Sequence, residues 1–159
     1  MFRTLCIGVA AAMTMTACAQ TSGPEGEAAK VPGMHTFTAT FGGKAQPWIV
    51  YVPEGYTEEK AWPLIVFLHG MGERGSDGAK HAQVGLGPAI EANPERFPCL
   101  VVMPQCPDDS FWVTVEGEKR FESMGDASPF IDLALNETLE RYNVDRSRIV
   151  LTGLSMGGY

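Results

Sequence analysis

The residues whose types and spacing best suit chemistry lie near the end of the 159-residue sequence, in the stretch Gly153-Leu154-Ser155-Met156-Gly157. The pattern G-x-S-x-G is typical of a nucleophile elbow, a sharp strand-to-helix turn that raises a serine hydroxyl above a sheet. The flanking Gly153 and Gly157 are needed because the strand and the helix pass closely there. The pattern predicts Ser155 as a catalytic nucleophile, with the N–H of Met156 directed at a developing oxyanion.

An ordinary glycine-rich turn is the alternative for this stretch. The residues directly before it, 149–151, are Ile-Val-Leu, an apolar and partly β-branched run typical of a strand buried in a parallel sheet. A further glycine, Gly158, follows the motif. Because a strand precedes the motif and glycine follows it, the elbow is the favoured interpretation.

A second glycine-rich motif, His69-Gly70-Met71-Gly72, directly follows the apolar run 64–68. A buried strand that ends in H-G-x-G, roughly 85 residues before a G-x-S-x-G strand, resembles the α/β-hydrolase fold. This resemblance implies that the loop after the earlier strand supplies the other half of an oxyanion hole, through the N–H of Met71. It also implies that His69 braces the loop by hydrogen bonding, while Gly70 and Gly72 let the backbone approach a substrate carbonyl.

From about residue 35 to residue 159 the chain resembles extracellular α/β-hydrolases of the predicted-peptidase, feruloyl-esterase and polyhydroxyalkanoate-depolymerase group. The segments L-H-G-x-G-E-R-G, P-Q-C-P and Y-N-V-D-x-S-R-I-x-L-T-G-L-S-M-G-G carry this resemblance. It implies a serine hydrolase that works through an acyl-enzyme, needs no metal or organic cofactor, and acts on carboxylic esters, either small-molecule esters or those of extracellular polysaccharides or polyesters. A serine peptidase of the prolyl oligopeptidase type is the alternative.

The α/β-hydrolase order places the acid and the histidine of the triad after the nucleophile. We therefore expect these 159 residues to be the amino-terminal part of the enzyme, and to be inactive and poorly folded alone. The alternative from another class is a non-catalytic surface or binding protein that is complete as written. Against that alternative, a protein without catalytic function would have no need of a strained elbow together with an H-G-x-G loop.

The other candidate residues have weaker signals. His35 and His81 are expected to be structural or solvated. Glu73, Arg74 and Asp77 form a charged cluster, which is either a network that holds the oxyanion loop or a solvated loop face. Residues 108–121 follow a strand end, so Phe111 and Trp112 are candidate substrate contacts, although Trp112 equally suits a packing role.

The amino terminus reads as an export signal. Residues 1–17 combine Arg3 with a short apolar stretch, and Met15-Thr16-Ala17-Cys18 resembles a bacterial lipobox, which implies acylation at Cys18. An ordinary secretory signal cut near Ala17 or Ala19 is the alternative. We expect a lipid-anchored, periplasmic or extracellular protein with a flexible tether over residues 18–33 and a partial hydrolase domain over residues 34–159.

Composition and cysteine spacing exclude several classes of site. The net charge of −7 without a basic stripe disfavours nucleic-acid binding. Cys99 and Cys106 flank one predicted strand, so they are roughly 20 Å apart, too far for a disulfide. Each is free and buried or pairs with a residue outside this sequence. No Cys/His spacing indicates a metal site.

The elements that position these residues follow from periodicity. Residues 35–41 and 48–52 read as an antiparallel hairpin around Gly42-Gly43, and residues 64–68, 100–103 and 149–151 as buried strands. Residues 79–93 read as a loop followed by a short helix. Ser128 and Pro129 predict the N-cap and first residue of a second helix, whose apolar stripe is Ile131, Leu135, Leu139 and Tyr142.

Overall fold

The computed structural model describes residues 21–114, 116–119 and 123–159. The predicted signal and Cys18 lie outside these residues. The described strands, in chain order, are β1 (Thr21–Ser22), β2 (Gly33–Phe41), β3 (Lys44–Val52), β4 (Trp62–Leu68), β5 (Leu100–Pro104), β6 (Ser110–Phe111), β7 (Gly125–Asp126) and β8 (Val144–Gly153). Six of them form one sheet in the order β1-β2-β3-β5-β4-β8, and β6 and β7 form a separate parallel pair.

Strands β2 and β3 form the predicted hairpin, and both are longer than expected. Gly42 and Gly43 turn the chain with φ values of 56° and 78°, which only glycine adopts without strain. Phe37 and Ala39 are buried while Thr36 and Thr40 are exposed, which confirms the alternation read from the sequence. Strand β3 then pairs antiparallel with β5, so the hairpin extends the central sheet.

The predicted buried strands β4 and β5 are parallel neighbours at the centre of the sheet, and β4 also pairs in parallel with β8. The expectation that residues 149–151 are buried is wrong for the residues described. Val150 is 56% exposed and Leu151 is 64% exposed. The reason is position: β8 pairs with β4 along one edge, and no described strand pairs with its other edge.

Two helices cover opposite faces of this sheet. Helix α1 (Leu86–Ala92) buries Ile90 against Val101 and Met103, and helix α2 (Ser128–Arg141) packs on the face of Leu100 and Val102. The sheet is therefore the middle layer of three, as β5 alternates its side chains between two apolar clusters.

Helix α2 differs from the sequence prediction in two details. Ala127, not Ser128, occupies the N-cap, and the Asp126 carboxylate accepts a hydrogen bond from the Ser128 N–H at 2.8 Å. The most deeply buried helix residues are Phe130, Ala134 and Thr138. Of the predicted stripe, Tyr142 is buried just after the helix, whereas Ile131, Leu135 and Leu139 are only partly buried. Thr138 is tolerated there because its hydroxyl donates to the Ala134 carbonyl at 2.7 Å.

Residues 21–33 differ from the flexible tether expected from composition. Strand β1 pairs with β2, and Ala29 is buried in a short 3₁₀ helix. The Tyr142 hydroxyl donates to the Ala29 carbonyl at 2.7 Å, and Lys30 pairs with Glu58 at 2.6 Å. These contacts attach a polar segment that has no apolar periodicity of its own.

Among the helices described, none is both long and apolar enough to cross a membrane.

Candidate active site

Ser155 occupies a strained turn at the carboxyl end of β8. Its φ of 52° makes it the only non-glycine residue with positive φ in the described part of the chain. The turn is tied to the neighbouring strand, because the Leu154 N–H donates to the Leu68 carbonyl at 2.9 Å. A 3₁₀ helix, Ser155–Gly158, follows at once, and Ser155 itself is exposed. Strand, turn and helix thus present the serine at the surface.

Close backbone packing explains both glycines of the motif. A Cβ at Gly153 would lie 1.9 Å from the Gly157 carbonyl oxygen, and a Cβ at Gly157 would lie 2.1 Å from the Leu68 carbonyl oxygen. Both neighbours are backbone atoms that cannot rotate away. Only glycine therefore fits at either position with the turn unchanged.

The H-G-x-G loop lies directly beside this turn. A Cβ at Gly70 would be 3.5 Å from the Ser155 Cβ. Because glycine has no side chain, the Gly70 backbone lies directly beside Ser155. Met71 begins a short 3₁₀ helix, Met71–Glu73, and its side chain is half-exposed, whereas Met156 is buried. The structure thus brings together Ser155 and the two residues whose N–H groups are the candidate oxyanion donors.

His69 is buried behind this loop, and both of its ring nitrogens have backbone partners. The Cys106 N–H donates to Nε2 at 2.9 Å, so the proton is on Nδ1, which lies 2.6 Å from the Gly70 carbonyl oxygen and donates to it. That carbonyl belongs to the same peptide unit as the Met71 N–H. His69 therefore fixes the plane of the candidate donor and is not free to act as a base toward Ser155.

The charge state of His69 supports the same arrangement. Burial lowers the pKa of the imidazole below its ordinary value, which keeps the ring neutral. Trp112 braces the same residue from the other side, since its Nε1–H donates to the His69 carbonyl at 2.9 Å. The two rings meet edge to face with centroids 4.9 Å apart.

The charged cluster of this loop forms a hydrogen-bond network, the first of the two alternatives read from the sequence. Arg74 donates to the Met71 carbonyl at 3.2 Å and to the Ser110 carbonyl at 3.1 Å. Asp77 accepts from the Ala79 and Lys80 N–H groups, both at 2.8 Å. The Lys80 N–H bond is the main reason that the pKa of Asp77 lies well below its usual range.

Two buried glutamines of this network were not singled out from the sequence. Gln46 and Gln105 are 2% and 0% exposed, and both bind the loop that contains Arg74. Gln105 is the glutamine of the P-Q-C-P segment, but the sequence alone assigned no role to it or to Gln46. The available hint was position: Gln105 follows the predicted strand 100–103 directly, where sheet-edge loops form sites.

A cavity of about 490 Å³ opens beside Ser155. Its lining is mainly apolar, and none of its described residues is charged: Leu68, Met71, Phe111, Trp112, Val113, Ile131, Leu151, Ser155, Met156, Gly157 and Tyr159. Both candidate contact residues, Phe111 and Trp112, are in its wall. Trp112 is also a packing residue, since it is only 3% exposed. Its two alternative roles are therefore compatible.

The remaining candidates lie elsewhere. His35, on β2, donates from Nε2 to the Val31 carbonyl at 2.6 Å, while His81 is fully buried and neither ring nitrogen has a hydrogen-bond partner among the described residues. Of the two alternatives expected for His81, its complete burial favours the structural one. Cys99 and Cys106 are both free and buried. In the described ranges, no three His, Cys, Asp or Glu side chains cluster as metal ligands would.

No protein-family model and no curated protein matches the chain. The chain is, however, similar to several solved structures. A thermostable esterase matches at 35% identity with a TM-score of 0.64, over 78% of this chain and 35% of that one. A ferulic acid esterase matches at 22% identity and 0.51, over 78% and 51%. An S-formylglutathione hydrolase from Agrobacterium tumefaciens matches at 16% identity and 0.55, over 86% and 53%.

The chain thus spans between about a third and about half of the length of these proteins. The chain has an α/β-hydrolase fold, and over this partial length it is structurally similar to esterases of that family.

Proposed function

We propose that the full-length protein is a serine hydrolase that cleaves carboxylic esters through an acyl-enzyme on Ser155. The observation that carries the proposal is the strained φ of 52° at Ser155, held between two glycines whose Cβ positions are blocked by backbone. Such strain is retained where it serves a purpose, and here it exposes a hydroxyl beside an apolar cavity.

In the proposed reaction, Ser155 Oγ attacks the ester carbonyl carbon while a histidine accepts the hydroxyl proton. The oxyanion receives hydrogen bonds from the N–H groups of Met71 and Met156, each worth roughly a hundredfold or more in rate. The histidine then donates its proton to the departing alcohol, and a water hydrolyses the acyl-enzyme by the same steps in reverse. In this fold the histidine and its acid follow the nucleophile in the chain.

The choice of esters rests on the cavity and on the 35% identity to a thermostable esterase. The described lining offers no charged group, and its aromatic residues Phe111 and Trp112 suit an apolar acyl group. A peptide substrate would instead bring several amide groups that need hydrogen-bond partners. Among the described lining residues, polar side chains are few.

Kinetics on the full-length protein test this proposal. We expect turnover of p-nitrophenyl and feruloyl or acetyl esters that falls at least about a thousandfold in Ser155→Ala. Ser76→Ala is the matched control, because Ser76 is an exposed serine of the neighbouring loop. Full activity in Ser155→Ala contradicts the nucleophile. Faster cleavage of short peptides than of esters leaves the nucleophile intact and favours the peptidase alternative.

We also propose that the mature protein is exported and begins at an acylated Cys18. The support is the apolar stretch that ends in Met15-Thr16-Ala17-Cys18. Intact mass of the mature protein should show lipid on Cys18, and Cys18→Ser should release the protein from the membrane fraction. Cys6→Ser, inside the predicted signal, is the control. A membrane-bound Cys18→Ser protein of unchanged mass contradicts the proposal.

A further inference from the structure

The side chain of Gln105 is buried completely, yet it binds the oxyanion loop with every polar group that it has. Its Nε2 donates to the Glu73 carbonyl at 3.1 Å and to an Asp77 carboxylate oxygen at 3.2 Å. Its Oε1 accepts from the Gly78 N–H at 2.9 Å. The amide therefore joins three points of one loop segment, residues 73–78, to the end of β5.

A second buried glutamine supports the first. Gln46, on β3, donates from Nε2 to the Gln105 carbonyl at 2.6 Å and to the Gly75 carbonyl at 2.7 Å. The Gly75 N–H donates in turn to the Cys106 carbonyl at 2.9 Å. Two adjacent strand ends thus hold the same loop segment from behind.

This segment leads directly to the candidate oxyanion donor. Arg74 lies within it and donates to the Met71 carbonyl, and a carboxylate oxygen of Glu73 lies 3.0 Å from where a Gly70 Cβ would be. A shift of residues 73–74 would therefore move both ends of the short stretch that carries the Met71 N–H. Oxyanion donors act only within a few tenths of an ångström of the right place.

Burying amides is unfavourable unless all their hydrogen bonds are formed, and apolar residues of similar volume would fill the same space. The satisfied amide gives the loop a unique geometry that an apolar contact cannot specify. A solely structural role, in which Gln105 merely satisfies loop backbone groups, is the competing explanation.

We propose that Gln105 is a positioning residue for the oxyanion donor at Met71, acting through residues 73–74 of the loop. This inference rests on the proposed function, because it concerns the same oxyanion hole. It predicts that changing Gln105 harms the transition state more than the binding of substrate.

The first measurement uses Gln105→Leu in the full-length protein. We expect kcat for an ester to fall about tenfold or more while KM changes less than about threefold. The affinity for an aryl boronic acid, whose tetrahedral adduct places an oxygen in the oxyanion hole, should fall in parallel with kcat. Val101→Ala is the control, because Val101 is also buried on β5 but packs in the apolar cluster of Ile49, Tyr51 and Ile90.

The second measurement uses Gln105→Glu and varies the pH. A carboxylate at this position has no N–H for the Glu73 carbonyl and faces the Asp77 carboxylate at about the 3.2 Å of the present bond. A protonated carboxyl regains one donor. The ratio of variant to wild-type kcat should therefore rise as the pH falls, with circular dichroism confirming the folded state at each pH.

Three results overturn the inference. They are unchanged kcat in Gln105→Leu, a kcat loss in Val101→Ala equal to that in Gln105→Leu at equal loss of stability, and a pH-independent ratio for Gln105→Glu. If Gln105→Leu does not fold, the Gln105→Glu profile decides alone. Ser155→Ala is assayed in parallel: if it keeps full activity the proposed function fails, and if it is inactive only the role of Gln105 is in question.

Discussion

The two halves of the candidate site are built in opposite ways. The H-G-x-G loop is fixed from behind by buried side chains, among them His69, Gln105 and Trp112, each with its polar atoms paired. The Ser155 turn relies instead on backbone contacts with Leu68 and lies at an edge of the described sheet, where Leu151 and Leu154 are 64% and 45% exposed.

This contrast shows where each half obtains its precision. The loop has no regular structure long enough to hold it, so side-chain hydrogen bonds must fix each peptide unit. The turn is fixed by the absence of side chains, which lets β8, β4 and the following 3₁₀ helix come into direct backbone contact.

The largest effect is expected at the turn. Gly157→Ala places a methyl group 2.1 Å from the Leu68 carbonyl oxygen, so either the strand or the turn must move. We expect a loss of about 3 kcal/mol or more in unfolding free energy, together with loss of activity. Urea unfolding and ester turnover provide the measurement.

Gly72→Ala is the matched control for that substitution, because nothing lies within 4 Å of its Cβ position and its φ is not in the left-handed region. It should change unfolding free energy by less than about 1 kcal/mol. Equal effects of the two alanines would contradict the description of the turn as the backbone-packed half.

The next largest effect is a loss of folding stability in acid that is caused by the buried His81. Burial first, and then the nearby His69, lowers the pKa of His81 from 6.5 to about 4. The charge of Asp77 and the Met103 main chain oppose this shift and are outweighed. The unfolded chain binds this proton at a higher pH than the folded chain does. The contribution of His81 to the free energy of unfolding is therefore fully present above pH 6.5 and is lost as the pH falls toward 4.

His81→Leu should remove this share of the acid sensitivity. The wild type should lose on the order of 3 kcal/mol more than the variant between pH 7 and pH 4. Urea unfolding at a series of pH values measures the difference, with pH 7 as the reference for each protein. Parallel pH curves would show that His81 is solvated or paired, against the structure.

A smaller effect is expected at Trp112, which braces His69. Trp112→Phe removes the Nε1–H that donates to the His69 carbonyl and leaves that buried acceptor without this partner. Trp48→Phe is a close control, because Trp48 is also buried but its Nε1 has no partner among the described residues. Trp112→Phe should be more destabilising by about 1 kcal/mol. Equal losses would mean that the brace contributes only packing.

The sequence predicted the fold well where local patterns decide it. The hairpin, strands β4 and β5, the helix at residues 86–92 and the placement of both glycine motifs followed from alternation, apolar runs and glycine spacing. The pairing of the two motifs in space was implied by the resemblance to the α/β-hydrolase fold.

What the sequence could not provide depended on contacts between distant residues. Gln46 and Gln105 are 59 positions apart in the sequence, and they form a hydrogen bond only because β3 and β5 pair. The segment around Ala29 looked unstructured because the contacts that hold it are with distant residues, among them the Tyr142 hydroxyl, 113 positions away. The exposure of Leu151 depends on which strands lie beside β8, and no property of the run itself reveals that.

Active-site labelling tests the central claim, that Ser155 is the nucleophile, most directly. The full-length protein is treated with a fluorophosphonate probe, digested, and mapped by mass spectrometry. A single phosphonylated residue at Ser155, absent from Ser155→Ala and retained in Ser76→Ala, is the result expected from the strained turn beside the H-G-x-G loop. Labelling at a different serine, or persistent labelling of Ser155→Ala, would contradict it.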